Sequence, residues 1–182
     1  MANICTTDYR IIGDRAILEK LEEVINSREE VIPNTITSWA GHKLARLGIP
    51  HDQSGRCWWS DARIDDNGVL YFFEESAWTR GKAISILQEA YPDLDIYFIS
   101  EEPGFEIYET NDEHCTFFKE RYVLDDDEHG CMYYETLQEL VEEVVNLYPE
   151  ITNINSIDEI NDYFNENEIC SSVHEFDFVS EL

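Results

Sequence analysis

The chain has 182 residues, 43% hydrophobic and 13% aromatic, enough for one large domain or a domain with an appendage, which argues against global disorder. It holds 40 acidic residues against 12 basic ones, a net charge of −28, which argues against direct binding to nucleic acid or an anionic membrane, because both need cationic surface. Its five cysteines, odd in number and with no C-x-x-C, read as reduced thiols and not as a disulfide scaffold.

The first residues lack a basic region followed by an apolar stretch, and no apolar run is long enough to span a bilayer, so a cytoplasmic location is expected. "ANICTTDYRIIG" is β-rich and predicts a first strand ending at Gly13. Asp14 then caps a helix over 14–27, in which Ile17, Leu18, Leu21, Val24 and Ile25 recur at helical spacing. A shorter helix is expected next, starting at Asn34 or Thr35 and stopped by Gly48 and Pro50. "CWWSDARIDDNGVLYFFEESAW" predicts a hairpin turning at Asp66-Asn67-Gly68. A helix ended by Pro92 follows, then a central strand over 94–101, apolar on both faces, and a turn at Pro103-Gly104 into "FEIYET".

The later segment differs in charge. Residues 1–121 carry a net −11, and residues 122–182, which contain no Lys or Arg, carry −17. "HCTFFKERYVL" and "CMYYE" predict a strand pair around an acidic turn at 125–130. A helix is expected over 135–148, and a last one begins at Ser156 with Glu159 as a capping box. The tail is expected to be loose or docked. Hairpin, helix and Tyr-Pro recur at 91–94 and 148–151, a weak internal echo.

"ESAWTRGKAISILQEAYPDLDIYFISEEPG" resembles the YubB-type ferredoxin-like proteins, small acidic chains of bacterial plasmids, phages and conjugative elements. Ala77-Trp78, Tyr91-Pro92-Asp93-Leu94 and Glu101–Gly104 carry the likeness, with Asn3, Cys5 and Gly13 at the start. Ile4 stands where that family usually has Trp, and Thr79-Arg80-Gly81 departs from its prolines. The resemblance covers roughly residues 2–112. It implies an α+β fold, a ferredoxin-like antiparallel sheet with helices on one face, and no established activity. Residues 113–182 are then expected as an acidic α/β extension of strand pair, two helices and tail, packed on the 1–112 core as one structural unit.

Few residues suggest chemistry. His114, Cys115, His129 and Cys131 offer imidazole and thiolate ligands suited to zinc, but at no usual zinc spacing. "DDDEHG" and "DARIDDNG" fail as calcium loops, since His129, Thr136 and Arg63 occupy ligand positions. No phosphate-binding, nucleophile-elbow or zincin motif is present, and Glu74-Glu75 and Glu101-Glu102 are pairs that an acidic chain supplies by chance. No cofactor, metal or catalytic residue is therefore assigned. Trp58, Trp59, Tyr71, Phe72, Phe73 and Trp78 are expected in sheet packing, because the flanking charge is wrong for stacking bases.

The helix over 135–148 is more informative. Leu137, Leu140, Val141, Val144, Val145 and Tyr148 form an apolar stripe, with glutamates opposite. Carboxylates one turn apart lie about 5–6 Å from each other, a spacing close to that of phosphates along a DNA strand. Asp125, Asp126, Asp127, Glu128, Glu135, Glu139, Glu142 and Glu143 are therefore the candidate partner-binding residues. The expected partner is a basic protein surface, such as that of a DNA-binding protein, and the expected role is a DNA mimic of anti-restriction or related mobile-element type. The alternatives are a structural or assembly module whose charge serves solubility and, third, a metal-dependent enzyme.

Overall fold

The computed structural model describes residues 3–27, 39–49, 55–152, 154–180 and 182. The chain divides into two compact units, Met1–Asp112 with Val179–Leu182, and Glu113–Phe178. Val179–Leu182 thus belongs to the first unit and not to an extension spanning 113–182.

The first unit contains β1 (Ile4–Ile12), α1 (Arg15–Asn26), α2 (Ala40–Arg46), β2 (Cys57–Ile64), β3 (Leu70–Ala77), α3 (Ala83–Ala90), β4 (Asp95–Glu102) and β5 (Ile107–Thr110). The strands lie in the order β2-β3-β1-β4-β5, and each neighbouring pair is antiparallel. β1 alternates in burial: Cys5, Thr7, Tyr9 and Ile11 are buried, and the residues between them are more exposed. One face of the sheet therefore carries the core. Leu18, Leu21 and Val24 of α1, Leu44 of α2 and Ile84 and Leu87 of α3 pack into the same cluster as Tyr9, Trp59, Phe72 and Phe98.

Local chemistry fixes the ends of these elements. Asp14 Oδ1 accepts the N–H groups of Ala16 and Ile17, so α1 starts where an Asp cap was expected. The start signal at Asn34 or Thr35 lies outside the described residues; α2 begins at Ala40, and Gly48 follows it with φ +76°. In the β2–β3 turn Asp65, one residue before the expected Asp66, is the organiser. Its Oδ1 accepts the N–H groups of Asn67 and Val69, and Gly68 takes φ +82°. α1 also covers the outer strand. The Asn26 amide accepts the N–H and donates to the carbonyl of Ala62, and Glu22 accepts the N–H of Ile64. These bonds satisfy backbone groups that an edge strand leaves open. β4 lies between β1 and β5, with Ile96 and Phe98 buried and Tyr97 and Ile99 half-buried.

The second unit contains β6 (Tyr122–Asp126), β7 (Gly130–Tyr134), α4 (Leu137–Leu147), α5 (Ile157–Glu166), β8 (Ser172–Glu175) and β9 (Asp177–Phe178). Its sheet has the order β7-β6-β8, antiparallel throughout. The strand expected across 114–124 is shorter, and residues 113–121 are irregular before Tyr122. The tail read as loose or docked supplies β8. This unit has its own core: Leu124, Leu140, Val144, Ile151, Ile160, Phe164 and Val173. The α4 stripe buries there, except Val145, which is 37% exposed.

The internal echo has a structural counterpart. α3 and α4 both end at a tyrosine of nearly equal geometry, Tyr91 at φ −129°, ψ 73° and Tyr148 at φ −125°, ψ 72°. Each tyrosine carbonyl then accepts the N–H three residues on, from Leu94 and Ile151.

Candidate acidic binding face

α4 begins with a complete capping box. Thr136 Oγ1 accepts the Glu139 N–H, and Glu139 Oε2 accepts the N–H groups of Thr136 and Glu135. Its sequence signature is "TLQE", Thr at the cap and Glu three residues on. Glu139 is therefore both an exposed anion and the residue that closes the helix start. One turn on, Glu142 accepts from the Gln138 amide at 2.8 Å. Glu143 and Asn146 continue the same face.

These side chains border an open depression of about 500 Å³, lined by Glu120, Tyr133, Tyr134, Glu135, Glu139, Glu142, Glu143 and Asn146. Four candidate residues thus converge: Glu135, Glu139, Glu142 and Glu143. Glu120 joins them. It was missed because its segment read as strand, which hid that the irregular chain before β6 turns it toward α4. Burial, and after it the Glu143 carboxylate, push the Tyr134 phenol up, so its hydroxyl stays protonated beside the glutamates. The described ion pair here is Lys119 with Glu135 at 3.8 Å, both well exposed, a geometry worth little in water.

The other candidates lie apart. Asp125, Asp127 and Glu128 sit at the opposite end of β7 from Glu135, about 17 Å away along a five-residue strand. Asp125 accepts a long bond from the Cys131 thiol, and Asp127 and Glu128 are exposed.

Asp126 is a correction, because it is not a surface anion. It is 2% exposed and faces inward. Its Oδ1 accepts the N–H groups of Glu128 and His129 and meets His129 Nδ1 at 2.7 Å. Its Oδ2 accepts from the hydroxyls of Tyr148 and Ser171. Burial alone would raise its pKa; the donors, Tyr148 and His129 foremost, outweigh burial and hold the carboxyl well below the usual carboxylate range. The residue ties the β6–β7 turn to the end of α4 and to the approach to β8. It orients the acidic face without belonging to it.

Among the described residues, no group of three or more His, Cys, Asp or Glu side chains is placed to hold a metal ion. His129 is engaged with Asp126, and Cys115 and Cys131 are exposed. In the first unit Glu74 is buried and accepts from Trp59 Nε1 and the Gly81 N–H. Burial pushes up the thiols of Cys57 and Cys5, which leaves them poor nucleophiles. Trp59 and Phe72 meet edge to face at 5.4 Å inside the core, and Arg10 and Arg63 lie over the Tyr71 ring at 4.3 and 5.3 Å. No helix among the described residues is long and apolar enough to cross a membrane. Scans against family models, curated proteins and solved structures found no match to this chain.

Proposed function

We propose that the chain is a non-enzymatic anionic binding protein that occupies the nucleic-acid site of a basic, DNA-binding partner. The observation that carries this reading is the α4 face. Its glutamates stand on a helix whose opposite side is buried through Leu140 and Val144 and whose start is fixed by the Thr136–Glu139 box. Held carboxylates keep their spacing, and a fixed anionic array suits a cationic groove better than a mobile tail does, because less ordering entropy is lost on binding.

The first unit fits a ferredoxin-like reading. Its order β2-β3-β1-β4, with a helix after β1 and another after β3, supports that topology. With the likeness to YubB-type proteins, this favours an accessory of a bacterial mobile element acting in the cytoplasm, of anti-restriction or related kind.

The test combines capture with competition. The chain is used to capture host proteins at low and high salt, and each captured protein is assayed for DNA binding with and without the chain. The reading expects a basic protein, lost at high salt, whose DNA complex is displaced by the chain. Glu135, Glu139, Glu142 and Glu143 changed together to Gln should abolish displacement and keep the fold, since Gln also serves in the capping box. A captured protein that keeps its DNA, or equal displacement by the quadruple variant, refutes it.

A further inference from the structure

The buried face of the first sheet changes character from one end to the other. Strand registers line its residues up in rows. Leu70, Ile11 and Ile96 form one apolar row, and Phe72, Tyr9 and Phe98 the next. The following rows are polar: Trp59, Glu74, Thr7 and Ser100, then Cys57, Ser76 and Cys5, with Glu102 at the end of β4. These side chains are almost all paired. The Ser100 hydroxyl meets Cys5 Sγ at 3.2 Å and Thr7 Oγ1 at 3.0 Å, and Ser76 donates to the Thr79 carbonyl.

Glu102 breaks the pattern. It is 2% exposed, and its Oε2 has no hydrogen-bond partner among the described residues. A buried acceptor left unpaired carries its full desolvation penalty, so a ligand bringing a donor gains what the fold lacks. Exposed aromatics stand at the same sheet end: Trp78 is 47% and Phe105 57% exposed. Trp78 holds φ +70°, a conformation that bulky residues rarely adopt and that turns it out of the strand. Its N–H donates to the Asn3 carbonyl, which places it beside the start of β1. On the other side of Asn3 is Gly104. A Cβ there would come within 2.4 Å of Asn3 Nδ2 and 3.0 Å of Glu102 Oε1, so glycine leaves room for the Asn3 amide beside the carboxylate.

We propose that this sheet end anchors an arginine side chain of the basic partner, with the guanidinium against Trp78 and Phe105 and its N–H groups directed to Glu102 once Asn3 swings aside. A guanidinium offers a flat face for aromatic rings and a row of donors along its edge, and the net charge of −28 draws a cation to it. The inference rests on the reading of a basic partner but uses residues separate from the α4 face.

The probe is N-acetyl-arginine amide, with the neutral citrulline analogue as control. The readout is the indole N–H resonance of Trp78, identified by its loss in Trp78→Phe. A saturable shift with the arginine probe, absent with citrulline and weakened about tenfold or more in Glu102→Gln, is expected. Phe105→Ala, at an exposed site that leaves the core intact, should weaken it as well. The quadruple α4 variant should respond like the wild type. No saturable shift, an equal shift with citrulline, or an unchanged response in Glu102→Gln overturns the proposal. A normal arginine response alongside failed displacement of DNA refutes the mimic reading and leaves this site standing.

Discussion

Asp126 offers the sharpest test of how the second unit is held. Replacing it with Ala removes a buried carboxylate that serves two backbone N–H groups, an imidazole and two hydroxyls. Hydrogen bonds to a charged group contribute about 1.5–3 kcal/mol each, and they do not add. The half-exposed His129, Tyr148 and Ser171 recover part of the loss by turning to water. The net cost of Asp126→Ala should therefore be about 3–5 kcal/mol. Asp126→Asn should cost less, about 1–2 kcal/mol, because one oxygen still accepts the two N–H groups while the amide donates to the hydroxyls. The pH dependence has a definite sign. The folded-state pKa lies below the unfolded value of about 3.9, so the contribution is present above that pH and fades as pH falls through and below it. Stability of the wild type should drop there, and both variants should show a flatter profile. All four tryptophans, at 39, 58, 59 and 78, lie in the first unit, so none reports from within the second. Amide exchange in β6 and β7 does. An Asp126→Ala variant whose exchange there matches the wild type would refute the reasoning.

Two further outcomes follow from side chains already placed. Glu139→Ala should destabilise α4 by about 1 kcal/mol, because it removes the acceptor for the Glu135 and Thr136 N–H groups, whereas Glu142→Ala should stay within about 0.5 kcal/mol of neutral; far-UV melts of the two variants compare them. Equal effects would argue against the capping box. The native protein should expose three thiols, Cys115, Cys131 and Cys170, to a colorimetric reagent, with Cys5 and Cys57 reacting only on unfolding; five fast thiols would contradict the buried strand ends.

The helices and antiparallel strands were legible where the local signal and the tertiary context agree. Asp14 before an apolar period marks α1, and alternation in "ICTTDYRII" marks β1. Local pattern did not encode the strand order, because β1 sits between β3 and β4, far along the chain; only the resemblance implied such a sheet. Asp126 shows a different failure. The run "DDDEHG" has the composition of a turn, and composition says nothing about which carboxylate points in. Strand alternation does: Leu124 faces the core, so the residue two on faces it as well, and β6 extends just far enough to include it. Glu120 was hidden for the opposite reason. "FFKERY" has strand propensity, yet the residues before Tyr122 leave the ladder, so the place of Glu120 beside α4 follows from an irregular path that no period encodes.

The return of Val179–Leu182 to the first unit makes the second unit a loop closed at both ends. Val179 donates to the Thr110 carbonyl, and the Ser85 hydroxyl donates to that of Leu182. During synthesis, Met1–Asp112 leaves the ribosome well before this clasp, which must wait for the intervening 66 residues. Once those residues fold, the distance between their ends is set, and the clasp forms without the closure cost of a flexible loop, about 4 kcal/mol for that length. Melting the inserted unit alone would restore that cost. The clasp, not the sheet it fastens to, should then be the first part of the Met1–Asp112 unit to release.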